Sequence, residues 1–177
     1  MKSGLPLRAA VLAMVAMVVL LQGCATTTPV GPGETPWIGG RLSLRIDANP
    51  VQNVSAAFEL RGNGNSGELR LNSPLGTRLA AARWSPGSAV LADSQGEQRY
   101  DSLEDLSRKA LGEVLPLAAL PDWLAGRPWP DAPHAINPAG FEQLGWMVQL
   151  TRRADGFVEA SRAAPPAVLL RVKLDDS

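Results

Sequence analysis

Apolar residues recur at every second position in several short stretches, first at Leu42, Leu44 and Ile46, which alternate with Arg41, Ser43, Arg45 and Asp47. A period of two predicts a strand with one buried face. A second alternating run puts Val54, Ala56, Phe58 and Leu60 on one face and stops at Gly62-Asn63-Gly64-Asn65, residue types that tolerate positive φ. Leu69 and Leu71 supply the next face, residues 77–84 another strand, and residues 89–92 a further one before the turn at Ser94-Gln95-Gly96. The pattern returns at Leu144, Trp146, Val148 and Leu150. Asp155-Gly156 then marks a hairpin turn, and Val168, Leu170, Val172 and Leu174 end the series. Short strands joined by polar turns at this spacing predict an antiparallel meander, curled into a barrel or part of one.

Between the two strand-rich halves the period changes. Ser102, with Asp105 three residues on, predicts a helix start of the capping-box type, and Leu103, Leu106, Ala110 and Leu111 follow at helical spacing as far as Gly112. Pro116 suits the first turn of a second helix, whose Leu117, Leu120, Trp123 and Leu124 share a face until Gly126-Arg127-Pro128 stops it.

Only at the N-terminus do apolar positions run together. Residues 9–21 follow Lys2 and Arg8 and lead into Leu21-Gln22-Gly23-Cys24. The run falls short of the roughly 20 residues that span a bilayer and has the length of a cleavable signal core. It resembles a bacterial lipoprotein signal, in which the thiol after a small residue carries a diacylglycerol. An ordinary secretory leader or a buried helix is the plainer alternative, but Cys24 is the only cysteine in the chain and sits where lipidation requires it. The expected organisation is a leader at residues 1–23, a lipidated flexible tether at 24–36 and a single folded body at 37–177. Residues 25–36, ATTTPVGPGETP, are too poor in large apolar side chains to fold. Their coil dimension is on the order of 20 Å.

Composition then narrows the chemistry. The chain carries 17 Lys and Arg against 17 Asp and Glu, and loss of Lys2 and Arg8 with the leader leaves the body slightly acidic, which offers no electrostatic footprint for nucleic acid. Once Cys24 is lipidated there is no thiol for a disulfide or a nucleophile. His134 is the only histidine and is expected in an exposed Pro-rich loop, so a triad or metal site would rest on a single ligand. Glu104 and Asp105 are best placed to interact with a helix dipole. Asp175-Asp176 reads as a solvated tail and residues 62–67 as a turn without a P-loop lysine. No enzyme, metal or cofactor is expected.

Two stretches stand out. Asn72-Ser73-Pro74-Leu75-Gly76 joins two strands, with Pro74 and Gly76 placing Leu75 near the tip of a turn. Trp123-Leu124-Ala125-Gly126-Arg127-Pro128-Trp129-Pro130 ends an amphipathic helix with two indoles beside a Gly-Pro break. Either has an ordinary reading, Leu75 folding back onto the core and the helix plugging the sheet.

With these two stretches, the strand at 40–47, the helix at 102–112 and the Pro116-Leu117 start, the chain resembles the LolB family, outer-membrane lipoprotein receptors of the lipoprotein localisation pathway. The resemblance implies an incompletely closed antiparallel β-barrel covered by short helices, with an apolar cavity for acyl chains. It also implies a protruding loop, here Pro74, Leu75 and Gly76, whose apolar residue assists delivery into the membrane. The expected partners are a periplasmic, LolA-like carrier, lipoprotein acyl chains and outer-membrane lipid, for a monomer anchored on the periplasmic face of the outer membrane. The cavity lining is expected from Leu42, Leu44, Ile46, Phe58, Leu60, Leu69, Leu71, Trp146, Val148, Leu150, Leu170 and Val172, with Leu120, Trp123 and Leu124 from the helices. Small inward residues, Ala56 and one of Ala80-Ala81-Ala82, would leave it room. The competing reading is a scaffolding envelope lipoprotein with a filled core that binds a protein partner along its edge strands.

Overall fold

The computed structural model describes residues 35–176. The expectations for the leader, for Cys24 and for most of the tether lie outside the described residues. Eleven strands form one antiparallel sheet: β1 (Ile38–Ile46), β2 (Gln52–Gly62), β3 (Gly67–Asn72), β4 (Arg78–Ser85), β5 (Ser88–Asp93), β6 (Gly96–Tyr100), β7 (His134–Asn137), β8 (Gly140–Gln143), β9 (Trp146–Gln149), β10 (Phe157–Arg162) and β11 (Val168–Leu174). Their order across the sheet is β6-β5-β4-β3-β2-β1-β11-β10-β9-β8-β7, so the first and last strands of the body pair at its centre. The outermost strands, β6 and β7, do not pair with each other, and the sheet is an open half-barrel rather than a closed one.

Register explains which residues face inward. Leu42 and Leu44 of β1 stand opposite Val172 and Leu170 of β11 on one side and Ala56 and Val54 of β2 on the other, all on one face. The other face carries Arg41, Arg45 and Arg171, all exposed. In β4 two alanines of the expected set turn inward, Ala80 opposite Leu71 and Ala82 opposite Leu69, because they lie two apart. At the start of β1, Gly40 lets β11 and Phe58 close in. A Cβ there would sit 2.3 Å from the Lys173 carbonyl oxygen.

The helical segment lies against the inward face. Helix α1 (Leu103–Leu111) starts as expected, with Ser102 Oγ accepting from the Asp105 amide, although the Asp105 carboxylate pairs with Arg108 instead of closing the box. It ends at Gly112, which takes the left-handed conformation at φ 73°. The second helix is shorter than its pattern predicts. Pro116 is not helical, residues Leu117–Ala119 form a 3-10 turn, and α2 (Leu120–Leu124) makes only a single turn with Pro121 at its start. Pro121 has no amide with which to continue the bonding of the preceding turn, so the two pieces meet there.

Three other expectations change. Leu144 is not a strand residue: it occupies the two-residue β8–β9 turn with Gly145, at φ 54° and 76°, and is 47% exposed. A two-residue hairpin needs positive φ at both positions, and leucine pays about 1 to 2 kcal/mol for it. His134 is exposed as expected but opens strand β7 opposite Gln143 rather than lying in a loop. Strands β6, β7, β8 and β10 are too short or too polar for a period of two to stand out in the sequence.

Since every pairing is antiparallel, the loops sort into two groups. The β1–β2, β3–β4, β5–β6, β8–β9 and β10–β11 connections gather at one end of the sheet, called distal here. The β2–β3, β4–β5, β7–β8 and β9–β10 connections gather at the proximal end, where the chain also runs into β1.

Candidate functional site: an apolar hollow beneath the helices

Between the inward face and the helical layer lies a hollow of about 90 Å³, lined entirely by apolar residues. The sheet contributes Leu42, Leu44, Val54, Leu69, Leu71, Trp146 and Leu170, and the helical segment Leu111, Leu115, Pro116, Leu117, Leu120 and Trp123. Eight of the fifteen residues expected to line a cavity meet here. Ile46, Phe58, Leu60, Leu124, Val148 and Val172 pack instead into the surrounding core, and Leu150 packs against it, half-buried. Ile46 and Val148 are 1% and 0% exposed. The hollow sits toward the distal end, since Val54, Leu71, Trp146 and Leu170 all lie within three residues of the distal limit of their strands.

Five of the lining residues, Val54, Leu111, Leu115, Pro116 and Leu117, are not among those expected to line a cavity. Leu115 and Pro116 lie in the link between helices, where no periodicity operates. Leu111, Leu117 and Val54 carried a visible pattern and could have been found from it. Leu115 is drawn in by Ser107, buried in α1, whose hydroxyl accepts from the Leu115 amide at 3.2 Å and donates to the Glu104 carbonyl at 3.0 Å. Trp123 is fixed by a second missed residue. Gln143, 2% exposed, accepts from the Trp123 indole N–H at 2.8 Å and the Trp129 amide at 2.9 Å, and donates to the carbonyls of Trp129 and Ala132. Its polar capacity is met, so it can sit in the core without penalty. The Trp123 ring then packs edge-on against Phe141 and tilted against Trp146, with centroids 6.4 and 6.1 Å apart.

One polar contact ties the link between helices to the sheet. Arg162 of β10 donates to the Glu113 carboxylate at 2.9 Å and to the Pro166 carbonyl at 3.0 Å, and its guanidinium lies 5.7 Å from the Trp146 ring centre. Both charged side chains are largely covered, which strengthens the pair relative to one in water.

The β3–β4 loop lies at the same distal end. The Ser73 amide donates to the Thr77 carbonyl, the Gly76 amide donates to the Ser73 carbonyl, and the Ser73 hydroxyl accepts from the Thr77 amide, so the loop is a closed turn. Leu75 at its tip is 94% exposed, and Gly76 has positive φ. Leu75 therefore does not fold back onto the core. Glu104 and Asp105 lie in the first turn of α1, and His134 opens β7. Asp105 pairs with Arg108, and Asp175 and Asp176 are exposed at the other end of the sheet.

An open single-sheet half-barrel with an all-apolar hollow under short helices, and the bare Leu75 at the same end of the sheet, belongs to the class of proteins built around a greasy interior. A family model described as "Outer membrane lipoprotein LolB" matches residues 37–174, and the chain belongs to that family. Proteins named outer-membrane lipoprotein LolB resemble it along most of their length. The one from Bordetella petrii is 33% identical, covering 82% of this chain and 81% of its own. The one from Chromobacterium violaceum is 30% identical, covering 80% and 82%, and the one from Ralstonia nicotianae is 30% identical, covering 88% and 81%. Among the described residues no helix is long and apolar enough to cross a membrane.

Proposed function

We propose that the protein receives lipoproteins from a periplasmic, LolA-like carrier and passes them into the outer membrane, while held at that membrane's periplasmic face by a lipid on Cys24. The observation that carries this reading is the wholly apolar hollow toward the distal end, the end that also bears the exposed Leu75. An acyl chain of about 16 carbons loses on the order of 10 kcal/mol on entering water. A receiver that keeps it dry must therefore hold it more tightly than the carrier and less tightly than the bilayer, and such a gradient needs no nucleotide.

The hollow of about 90 Å³ is small against the roughly 300 to 1,000 Å³ of a small-molecule pocket. Uptake of a chain therefore requires the helical layer to lift from the sheet: α2 is only a single turn, and the link at 113–116 is held down by the Arg162–Glu113 pair, which lifting must break. The lining residues, with Pro74, Leu75 and Gly76 at the tip, form the cargo path in this reading. The protein acts as a monomer.

The test is transfer from a purified carrier–lipoprotein complex to liposomes bearing the lipidated chain. Cargo is expected to move into the liposome fraction. With Leu75→Glu the cargo should leave the carrier and stay on the receiver. Delivery by that variant at the unmodified rate would defeat the role of the loop, and failure of the unmodified chain to take cargo at all would defeat the reading.

A further inference from the structure

Leu75 is not alone. Five large apolar side chains are conspicuously exposed among the described residues, and four of them, Val51, Leu75, Leu79 and Leu144, lie at or beside the distal loops. The fifth, Ile136, is in the edge strand β7. A fourth distal connection, at residues 163–167, reads Ala-Ala-Pro-Pro-Ala without a charge, and only the fifth, Ser94-Gln95, is polar. Two of the four proximal connections are strongly polar, with Asn63, Asn65 and Ser66 in one and Thr151, Arg152, Arg153 and Asp155 in the other, and Asp175 and Asp176 lie alongside; the remaining two, Pro86-Gly87 and Pro138-Ala139, carry no large apolar side chain. Leu144 makes the contrast sharper, because the β8–β9 turn demands a left-handed residue and asparagine or glycine would satisfy it without strain. Leu144 borders a groove with Leu115, Trp129 and Trp146, yet 47% of it stays bare.

The geometry points to the distal end as a seating surface for the lipid bilayer, at which Val51 and Leu144 enter the membrane together with Leu75. This deepens the delivery role proposed above and rests on it. The arrangement suits lipid in particular. The apolar tips stand on separate hairpins spread across the sheet from β4 to β8, and a fluid surface is the partner that accepts isolated tips at several points. The hollow lies toward the same end, so seating would bring an acyl chain leaving it directly to the hydrocarbon. Reach allows it: residues 25–37 extend to at most about 45 Å, while β1, which the chain enters at the proximal end, covers about 30 Å.

The test uses the lipidated full chain on liposomes of phosphatidylethanolamine and phosphatidylglycerol. An environment-sensitive dye is attached at a second cysteine, introduced in turn as Val51→Cys, Leu75→Cys or Leu144→Cys, with Pro86→Cys and Ala154→Cys as proximal controls. The three distal dyes are expected to shift to shorter wavelength and to be quenched by spin-labelled acyl chains, and the two proximal ones to stay in water. Quenching at position 75 alone would overturn the multi-point surface and leave the role of Leu75 standing. Water at all three distal positions would overturn both. Leu144→Asn adds a readout that misfolding does not mimic: its unfolding midpoint should rise while delivery to liposomes slows about fivefold. A rise in stability with unchanged delivery counts against the proposal.

Discussion

Glu68 shows how one outward-facing residue organises the start of the body. It accepts from Arg70 at 2.7 Å and Arg61 at 3.0 Å, and those two guanidiniums lie 4.1 and 4.5 Å from the ring centre of Trp37, holding the chain where it runs into β1. Burial pushes the Glu68 carboxyl up, but hydrogen bonds and charge from Arg70 and Arg61 outweigh it and hold the group below the usual carboxylate range. Its folded value is therefore lower than its unfolded one. The stability it contributes is fully present above the unfolded value and is lost as pH falls through the folded one. Glu68→Gln should cost about 1 kcal/mol near neutral pH and flatten the decline in stability on acidification, as read by urea unfolding at several pH values. Gln143 has the opposite character, neutral and sealed in the core. Gln143→Leu would leave the Trp123 indole and three backbone groups of residues 129 and 132 without partners, for a loss of about 2 to 4 kcal/mol. Trp123 fluorescence should report a loosened ring before global unfolding.

At the scale of elements, the interest lies in how the helical layer is fastened. The Arg162–Glu113 pair is the only salt bridge among the described residues that joins the link between α1 and α2 to the sheet. Glu113→Gln keeps the shape and removes the charge. It is expected to lower stability by about 1 to 2 kcal/mol and to speed uptake of a fluorescent fatty acid, because lifting the layer then breaks one contact fewer. Slower or unchanged uptake would mean that the layer does not move at 113. Much of this layer was legible from the sequence: Ser102 and Gly112 bound α1 through chemistry confined to a few neighbouring residues, and the alternation in β1, β2 and β11 gave the inward face directly. What was not legible depends on contacts distant in sequence. Gln143 looks like any polar strand residue until Trp123 and Trp129 are brought to it, and nothing local distinguishes Leu44, which lines the hollow, from Ile46, which is sealed beside it. Leu144 misled because its apolar character matched the phase of β9, while the positive φ of a two-residue turn is set by the pairing of β8 with β9.

For the whole molecule, the decisive relation is between the length of the body and the length of the chain that leads into it. The sheet is entered at its proximal end, whereas the hollow, Leu75 and the other bare tips are at the distal end. A lipid on Cys24 and a distal seat on the same bilayer are compatible only if the residues between Cys24 and β1 can run the length of the body. Thirteen residues suffice, with about 45 Å of contour against about 30 Å of β1. Removing residues 26–31 leaves seven, about 25 Å, too few to make the return. The shortened chain should be lipidated, fold with the same unfolding midpoint and take cargo from the carrier. Yet its distal dyes should remain in water and its delivery to its own liposome should fall to the level of Leu75→Glu. Replacing the six residues by a Gly-Ser segment of equal length should restore both, because reach rather than sequence is what the geometry requires. Delivery undiminished by the deletion would mean that the body meets the bilayer by another face, with the lipid anchor and the apolar tips acting independently.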